Sequence, residues 1–268
     1  MEYNVNGHTL RYHSDGEVAR GSNTILLDSA VDLTRNTPWA GKGFGIENLF
    51  NQDDYVSFKK RTFELLLSCW RRAGLTLSEN FKLENYHHLA NDRGTHLKAV
   101  EETKLLQIDQ FPIAIKTLEQ RISAICQTPL IARNPFDEQR IFHFRVVRPL
   151  STDNNPLHRD VWLEDYDDCI NLYIPVAGSN ENSSLILMEG SHRWAESRVE
   201  KTISGALING AKYNVPAVTK IFGDYKAVRP SPSENQVLVF SPYLIHGGSV
   251  NLNRDETRIS IEMRLWKK

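Results

Sequence analysis

The sequence predicts a mainly β protein with helices, in which a double-stranded β-helix (jelly roll) forms the core and N-terminal α-helices brace it. Apolar residues recur at three- and four-residue steps before residue 138, and they alternate or run continuously after it. No helical pattern separates most of the later segments, so βαβ crossovers are unavailable and an antiparallel sandwich or barrel is favoured. The 268 residues, 40% of them hydrophobic, can supply one domain spanning 1–268 with a substantial core.

The first part of the chain, 1–137, is expected to be helix-rich after a short start in β structure. Residues 3–13 predict a hairpin, because Tyr3 and Val5 alternate with polar neighbours before the turn dipeptide Asn6-Gly7. The stretch 16–45 carries no periodic pattern and is expected to be irregular.

Two amphipathic helices are expected next. Apolar residues from about Asn51 to near Gly74 share one helical face. A second run with the same spacing extends from Phe111 to Ile125, with Pro129 beyond its end. Each apolar face should pack against another element.

The second part, 138–268, is expected to form the jelly-roll core that carries the functional residues. Five segments have the alternating or continuous apolar character of strands: 140–149, 167–176, 183–189, 236–241 and 257–266. The segment 194–235 is rich in Gly, Ser, Pro and Lys and interrupts this series, which predicts an inserted loop or lid.

Composition excludes several classes of protein. Lys and Arg total 32 against 33 Asp and Glu, so the net charge of -1 offers no basic surface for nucleic acid. The N-terminus lacks a basic region followed by an apolar one, and no run approaches the roughly 18 apolar residues of a membrane span, which predicts a cytoplasmic protein without membrane partners. The three cysteines are widely spaced and indicate reduced core thiols. The sequence does not indicate an oligomeric state.

A metal site is predicted from three residues. His158 and Asp160 lie two apart, so on an extended chain both side chains point to one face. His246 follows the strand 236–241 and precedes Gly247-Gly248, which would let the backbone approach the metal closely. Two imidazoles and one carboxylate leave three positions of an octahedral ion open, as non-haem iron(II) oxygenases require.

The same spacing occurs once more, in His13 and Asp15. That pair lies where the predicted hairpin runs into a polar turn, and no strand series follows it. We therefore interpret it as a chance copy. For His158, Asp160 and His246 the competing interpretation is a hydrogen-bonded surface pair and an unrelated turn histidine.

A carboxylate-binding site is predicted on the last strand. Arg258 and Ser260 share a face of the strand 257–266. A guanidinium binds a carboxylate through two parallel hydrogen bonds and a hydroxyl adds a third, which suits the distal carboxylate of 2-oxoglutarate. The alternative is an arginine paired with Glu262 or Asp255.

These residues resemble the iron(II)/2-oxoglutarate-dependent dioxygenases, and within them the phytanoyl-CoA dioxygenase-like family. The resemblance covers about residues 138–268 and rests on LHRD (157–160), MEGSHRW (188–194), IHGG (245–248) and RIS (258–260). Glu189 stands where the family has a proline, and 171–176 lacks a tryptophan common in similar sequences. Both departures argue against an acyl-CoA substrate.

The resemblance implies Fe(II), 2-oxoglutarate and O₂ as the reacting set, with release of succinate and CO₂ and hydroxylation of an unactivated C–H bond in a small polar molecule. It also implies that Asn171 or Tyr173 hydrogen-bonds 2-oxoglutarate, and that His192 lies outside the metal triad. Four residues are candidate substrate contacts, although exposed arginine or core tryptophan is the competing interpretation: Arg145, Trp162, Arg193 and Trp194.

Two other functions stay open at the level of the sequence. A cupin-like metalloenzyme, either an isomerase or a 2-oxoglutarate-independent dioxygenase, would use a similar barrel but usually has more histidine ligands. A non-catalytic jelly roll that binds a saccharide or a protein would make the His and Asp residues coincidental. Arg258 and Ser260 favour the 2-oxoglutarate enzyme.

Overall fold

The computed structural model describes residues 1–78, 80–136, 142–151, 155–208, 211–247 and 250–268. It is mainly β, with four α-helices in the described chain. The helices are α1 Gln52–Arg72, α2 Tyr86–Leu89, α3 Arg93–Lys104 and α4 Ile115–Cys126. The first eight strands are β1 Glu2–Val5, β2 His8–Arg11, β3 Val18–Arg20, β4 Phe44–Asn48, β5 Leu130–Ile131, β6 His143–Val147, β7 Cys169–Ala177 and β8 Ile186–Met188. The others are β9 Val199–Thr202, β10 Ala206–Ile208, β11 Ala211–Tyr213, β12 Val218–Ile221, β13 Ala227–Val228, β14 Gln236–Phe240, β15 His246–Gly247 and β16 Arg258–Lys267.

The largest sheet has the order β4-β14-β7-β16-β5, and β6 also pairs with β16. All of its pairings are antiparallel. The strands predicted from 167–176, 236–241 and 257–266 are confirmed as β7, β14 and β16. Residues 140 and 141 of the predicted strand 140–149 lie outside the described residues, and the rest contains β6.

A second, three-stranded sheet has the order β13-β8-β15. A bridge between His158 and His246 extends it beyond β15. The two sheets pack face to face, because one apolar cluster combines Tyr173, Leu238 and Phe240 of the large sheet with Leu187 of the second and Leu244. The candidate site lies between these sheets.

The other face of the large sheet is covered by the helices. Alternation along β16 directs Ile259, Ile261 and Leu265 into the same core cluster as Trp70 of α1 and Leu118 of α4. Burial of a large apolar side chain contributes about 1.5–3 kcal/mol, so this layer holds the sheet in place. The opposite, even-numbered face of β16 is left to line the space between the sheets.

Helix α1 confirms the first predicted helix. Asn51 caps it, since its side chain accepts from Asp54 N at 2.9 Å, and Arg71 and Arg72 lie in its last turn. The helix ends just before Gly74, which has a positive φ of 91°.

The second predicted helix begins later than expected. The chain from Phe111 to Ala114 is not helical, and α4 starts at Ile115 beyond Pro112 and ends at Gln127, which has left-handed φ of 52°. Helix α3 was not predicted. Among its residues only Ala99 and Thr103 are buried, so its sequence carries almost no apolar period.

The predicted hairpin 3–13 is confirmed as β1 and β2, with Asn6 at φ 49° and Gly7 at φ 78° in the turn. The expectation of an irregular stretch at 16–45 is wrong in part. Strand β3 lies within it, and β4 begins near its end and forms an edge of the large sheet.

The segment 194–235, predicted as an inserted loop or lid, is not devoid of regular structure. This segment contains β9 to β13, in which β9 pairs with β3 and β12, β10 pairs with β11, and β13 joins the second sheet. These strands have two to four residues, too few for an apolar period to be visible in the sequence. Across the described ranges, every helix is too short or too polar to cross a bilayer.

Candidate metal centre

The backbone places the two histidines of the predicted triad opposite each other. His158 and His246 form a bridge in which each N–H donates to the other carbonyl at 2.9 Å. Their rings lie 4.4 Å apart between centroids, tilted by 46°. Asp160 follows in a short 3₁₀ turn, Asp160–Trp162, and its N–H donates to Pro242 O at 3.0 Å. The local fold thus brings residues separated by 88 positions to one point.

The three side chains converge on one carboxylate oxygen. Asp160 Oδ1 lies 3.3 Å from His158 Nε2 and 3.8 Å from His246 Nε2, and all three side chains are buried. Their ligand atoms all lie within 4.8 Å of one another.

A backbone carbonyl at Nδ1 fixes the orientation of each imidazole ring. His158 Nδ1 lies 2.8 Å from Pro156 O, and His246 Nδ1 lies 3.0 Å from Leu244 O. A carbonyl oxygen only accepts, so each Nδ1 carries a proton, and in the neutral ring Nε2 presents a lone pair. The two Nε2 atoms and a carboxylate oxygen therefore face each other. This donor set can hold a metal ion.

The second oxygen of Asp160 is fully engaged. Arg264 donates to Oδ2 from Nε at 3.0 Å and from Nη2 at 2.8 Å, and Asn171 Nδ2 donates at 2.9 Å. Burial raises the pKa of Asp160, but the guanidinium of Arg264 opposes this effect, and the pKa lies well below its usual range. The carboxylate is therefore ionised, and its orientation leaves Oδ1 facing the imidazoles.

His246 is neutral at pH 7. Burial, and then the neighbouring His158, lower the pKa of His246 to about 4. A neutral imidazole and an ionised carboxylate are the protonation states that bind a divalent cation.

Ser191 holds both ligand-bearing segments. Its hydroxyl accepts from Ile245 N at 2.7 Å, next to His246, and its carbonyl accepts from Arg159 Nη2 at 2.7 Å, between the other two ligands. Arg159 is fully buried and forms an ion pair with Glu196 at 2.6 Å. Trp162 Nε1 donates to the same carboxylate at 2.9 Å. Ser191 thus connects the segment that carries His158 and Asp160 to the segment that carries His246.

The predicted carboxylate-binding residues lie deeper between the sheets. Arg258 is fully buried, donates to Ser260 Oγ at 3.1 Å, and lies 3.7 Å from Glu262 Oε1. Its guanidinium is 5.7 Å from the centroid of the Tyr173 ring. The pairing with Glu262 that the sequence left open is thus present together with the contact to Ser260.

Asn171 and Tyr173 take different positions. The amide of Asn171 contacts Asp160, whereas the hydroxyl of Tyr173 lies 2.6 Å from Ser179 Oγ. Asn171 is therefore part of the support of the triad, and Tyr173 lies beside Arg258.

A pocket opens beside the triad and is lined by polar and apolar groups. Besides the three triad residues, its walls include His143, Arg145, Asn155, Asn171, Leu185, Phe240, Glu262 and Arg264. Arg145 Nε donates to Glu262 Oε2 at 3.0 Å. Burial, then Arg145 and Arg264, lower the pKa of His143 to about 4, so this imidazole is neutral at pH 7.

Among the four candidate substrate contacts, Arg145 lines this pocket and the other three do not. Trp162 is held by Glu196 and lies under Lys201 Nζ, 4.9 Å from its ring centroid. Arg193 lies 4.0 Å from Asp32 with its side chain 53% exposed. Trp194 stacks under the guanidinium of Arg198 at 4.0 Å. Their contacts make these three residues part of the neighbouring packing, and their role as substrate contacts stays a prediction.

Two further histidines lie away from the triad. His192 is buried, and its Nε2 is 2.9 Å from Ala40 O. His13 Nε2 is 3.0 Å from Asp15 Oδ1 in an exposed pair.

Sequence reasoning missed Arg264, Glu262, His143, Ser191 and Glu196 as members of the site or its support. Arg264 and Glu262 share the even-numbered face of β16 with Arg258 and Ser260, so strand alternation contained the signal that could have found them. The contacts of Ser191 and Glu196 depend on where two loops meet, and no local pattern indicates them.

No family model matches this chain, and no curated protein matches it. The phytanoyl-CoA dioxygenase-like resemblance therefore stays a prediction.

Solved structures with similar arrangements include EctD from S. alaskensis with 2-oxoglutarate and 5-hydroxyectoine, at 11% identity over 96% of this chain and 86% of that chain, with a TM-score of 0.48. The nickel complex of the non-haem monooxygenase ThoJ is 11% identical over 88% of this chain and 77% of that one, with a TM-score of 0.49. SnoK, a non-haem α-ketoglutarate-dependent carbocyclase from nogalamycin biosynthesis, is 11% identical over 92% and 87%, with a TM-score of 0.44. At these values the likeness concerns overall shape, and the chemistry of this chain has to be argued from its own residues.

Proposed function

We propose that this protein is an Fe(II)- and 2-oxoglutarate-dependent oxygenase that acts on a small polar molecule. One observation carries the proposal: two imidazole Nε2 atoms and one carboxylate oxygen converge in a buried position at the wall of a pocket. Bound iron would supply O₂ activation coupled to oxidative decarboxylation of 2-oxoglutarate, giving succinate and CO₂.

In this proposal His158, Asp160 and His246 hold the iron and leave half of its coordination positions to the cosubstrate and O₂. Arg264 and Asn171 fix the carboxylate of Asp160 so that Oδ1 faces the metal. Each Nδ1–H donates to a backbone carbonyl, which directs Nε2 of each ring towards the metal position.

Arg258 and Ser260 are proposed to bind the distal carboxylate of 2-oxoglutarate. The guanidinium is buried, so an ion pair with a carboxylate there is weakly screened by solvent. Glu262 lies 3.7 Å from Arg258 and 3.0 Å from Arg145. Entry of the cosubstrate would shift Glu262 towards Arg145, since two carboxylates repel each other at one guanidinium.

The substrate is proposed to be a small polar molecule that enters beside His143, Arg145 and Asn155. Leu185 and Phe240 give the pocket an apolar wall, which excludes water from the reacting atoms. Asp160 occupies the position that a halogenase would leave free for chloride, so the expected outcome is hydroxylation of a C–H bond, with desaturation or ring formation as the related outcomes.

The order of the two sheets supports a double-stranded β-helix. The chain passes between them from β6 through the bridge at His158 to β7 and β8, and again from β13 through β14 and β15 to β16. We propose that the chain is one domain, since one apolar cluster joins the helices of 1–137 to the large sheet. A phytanoyl-CoA dioxygenase-like enzyme in the cytoplasm, without nucleic-acid or membrane partners, fits these features.

The test is anaerobic addition of Fe(II) and 2-oxoglutarate to the metal-free protein. A weak visible charge-transfer band is expected for the wild type and for Asp15→Ala, which alters the chance copy of the motif. Asp160→Ala should give no band and no succinate on exposure to O₂. Absence of the band from folded wild-type protein would remove 2-oxoglutarate from the proposal.

A second candidate, a metalloenzyme that does not use 2-oxoglutarate, is favoured by the position of Glu262. Its carboxylate lies within 3.7 Å of the guanidinium that the cosubstrate would need. If this candidate holds, Fe(II) binds but 2-oxoglutarate produces no band, and Glu262→Gln does not restore one. If 2-oxoglutarate binds, Glu262→Gln should tighten it, because the competing negative charge is removed.

A further inference from the structure

Outside the triad, the described part of the chain contains one more group of three metal-ligand side chains: His87, His88 and Asp255. The two histidines belong to α2, and Asp255 lies in the segment that enters β16. None of the three lines the pocket or contacts the triad.

The geometry of this group resembles that of the triad. His87 Nε2 and His88 Nε2 lie 2.9 Å and 3.5 Å from the same oxygen of Asp255. The two rings are 4.0 Å apart between centroids and tilted by 46°, compared with 4.4 Å and 46° for His158 and His246. In both places two imidazole nitrogens face one carboxylate oxygen.

His87 is held in the orientation of a metal ligand. Its Nδ1 lies 3.1 Å from Glu84 O and 3.0 Å from Thr257 Oγ1. The carbonyl only accepts, so Nδ1 carries a proton; in the neutral ring the Nε2 lone pair then faces Asp255, a contact that a cation between them would make favourable.

The surrounding backbone fixes this arrangement. Thr257 N donates to Glu84 O at 2.8 Å, and His87 N donates to Thr257 Oγ1 at 3.2 Å. The side chain of His87 is only 14% exposed, whereas His88 and Asp255 are 58% and 78% exposed. One ligand is therefore preorganised, and solvent has room to complete the coordination.

We propose that His87, His88 and Asp255 form a second, external site for a divalent ion of the zinc class. Two imidazoles and one carboxylate suit Zn²⁺, Ni²⁺ or Cu²⁺, whereas Mg²⁺ and Ca²⁺ prefer oxygen ligands throughout. A bound ion would tie α2 to the chain that leads into Arg258. This site does not depend on the proposed oxygenase function, because the two share no residue.

The test is a Zn²⁺ titration of untagged full-length protein by isothermal calorimetry, with the inner site disabled by Asp160→Ala, or by His246→Ala if the first variant does not fold. One equivalent of Zn²⁺ should bind in this background and raise the melting temperature. When His88→Ala is combined with Asp160→Ala, Zn²⁺ should bind about 100-fold more weakly or less tightly still, since a direct ligand is lost. Asp255→Asn should also lower the affinity for Zn²⁺.

His13→Ala is the matched control, because His13 and Asp15 form an exposed pair with a single imidazole at 3.0 Å. It should leave one equivalent bound. An ordinary ion pair of protonated His87 with Asp255 predicts no Zn²⁺ binding in the Asp160→Ala background, and that result would overturn the proposal. Retention of the bound equivalent in the variant that lacks His88 would overturn it as well.

Discussion

Arg264 donates from two nitrogens, Nε at 3.0 Å and Nη2 at 2.8 Å, to one carboxylate oxygen of Asp160. With the amide of Asn171 at 2.9 Å, that oxygen has three donors, and the other oxygen is left to face the histidines. Arg264 is therefore a positioning residue for a metal ligand. Its charge also opposes the effect of burial on the pKa of Asp160.

Replacing Arg264 by Met should weaken metal binding at the triad by about 10- to 100-fold, the usual effect of losing an outer-shell partner. The buried carboxylate loses its main counter-charge, so its pKa should rise. Zn²⁺ affinity measured in a His88→Ala background, which disables the proposed external site, checks this. Arg264→Lys should lose less affinity because it keeps the charge. Equal affinities in all three proteins would show that Arg264 does not position Asp160.

Gly247 is required for the orientation of His158. It has φ of 134°, and a Cβ there would overlap Pro156 O, the carbonyl that holds His158 Nδ1. The sequence suggested that Gly247-Gly248 allow the backbone to approach the metal, whereas Gly247 makes room for Pro156; Gly248 lies outside the described residues.

Gly247→Ala should therefore displace Pro156 and lower metal affinity at the triad, together with thermal stability. Gly41→Ala is the matched control, because no atom lies within 4 Å of a Cβ built at Gly41. The two variants are compared by Zn²⁺ calorimetry and melting temperature. A Gly247 variant that matches the Gly41 variant in both would contradict the packing argument.

The strands and the triad were accessible from the sequence because their signals are local. Alternation of apolar residues predicts a strand wherever one face is buried, and a His and an Asp two apart on an extended chain must share a face. Strand β4 was missed, since its five residues include Gly45 and Asn48 and its partner β14 lies 188 to 196 positions away. Helix α3 was missed because only two of its residues are buried.

The residues that hold the metal ligands in place could not be predicted from the sequence in the same way. The buried pair of Arg159 and Glu196, 37 positions apart, forms because two irregular segments meet. Neither residue has a periodic neighbour pattern, and an isolated arginine or glutamate in a sequence is more often exposed. Such a pair can be recognised only once the fold has brought the two segments together.

Acid should destabilise the protein in part through His96, whose Nδ1 lies 3.1 Å from the hydroxyl of Tyr86. Burial, and then Arg148, lower the pKa of His96 to about 4 from an ordinary 6.5. Between these values the unfolded chain binds a proton that the folded chain excludes, so stability falls as the pH falls from 6.5 towards 4. His96→Gln should lose less stability between pH 7 and pH 5 than the wild type, as measured by urea unfolding. Equal losses in the two proteins would contradict the assignment.

Ser191 provides the last prediction, because it joins the segment of His246 to the segment of His158 and Asp160. Ser191→Ala removes the acceptor of Ile245 N while it keeps the carbonyl that holds Arg159. A buried N–H left without a partner costs about 1–3 kcal/mol, so the free energy of unfolding should fall by about that amount. Zn²⁺ affinity at the triad should fall too, since His246 follows Ile245 directly. Ser197→Ala, at a half-buried serine whose hydroxyl donates to Asn23 Oδ1 at 3.2 Å, is the control and should change neither quantity. If Ser191→Ala lowers stability but leaves metal affinity at the wild-type value, Ser191 holds the fold without positioning the ligand.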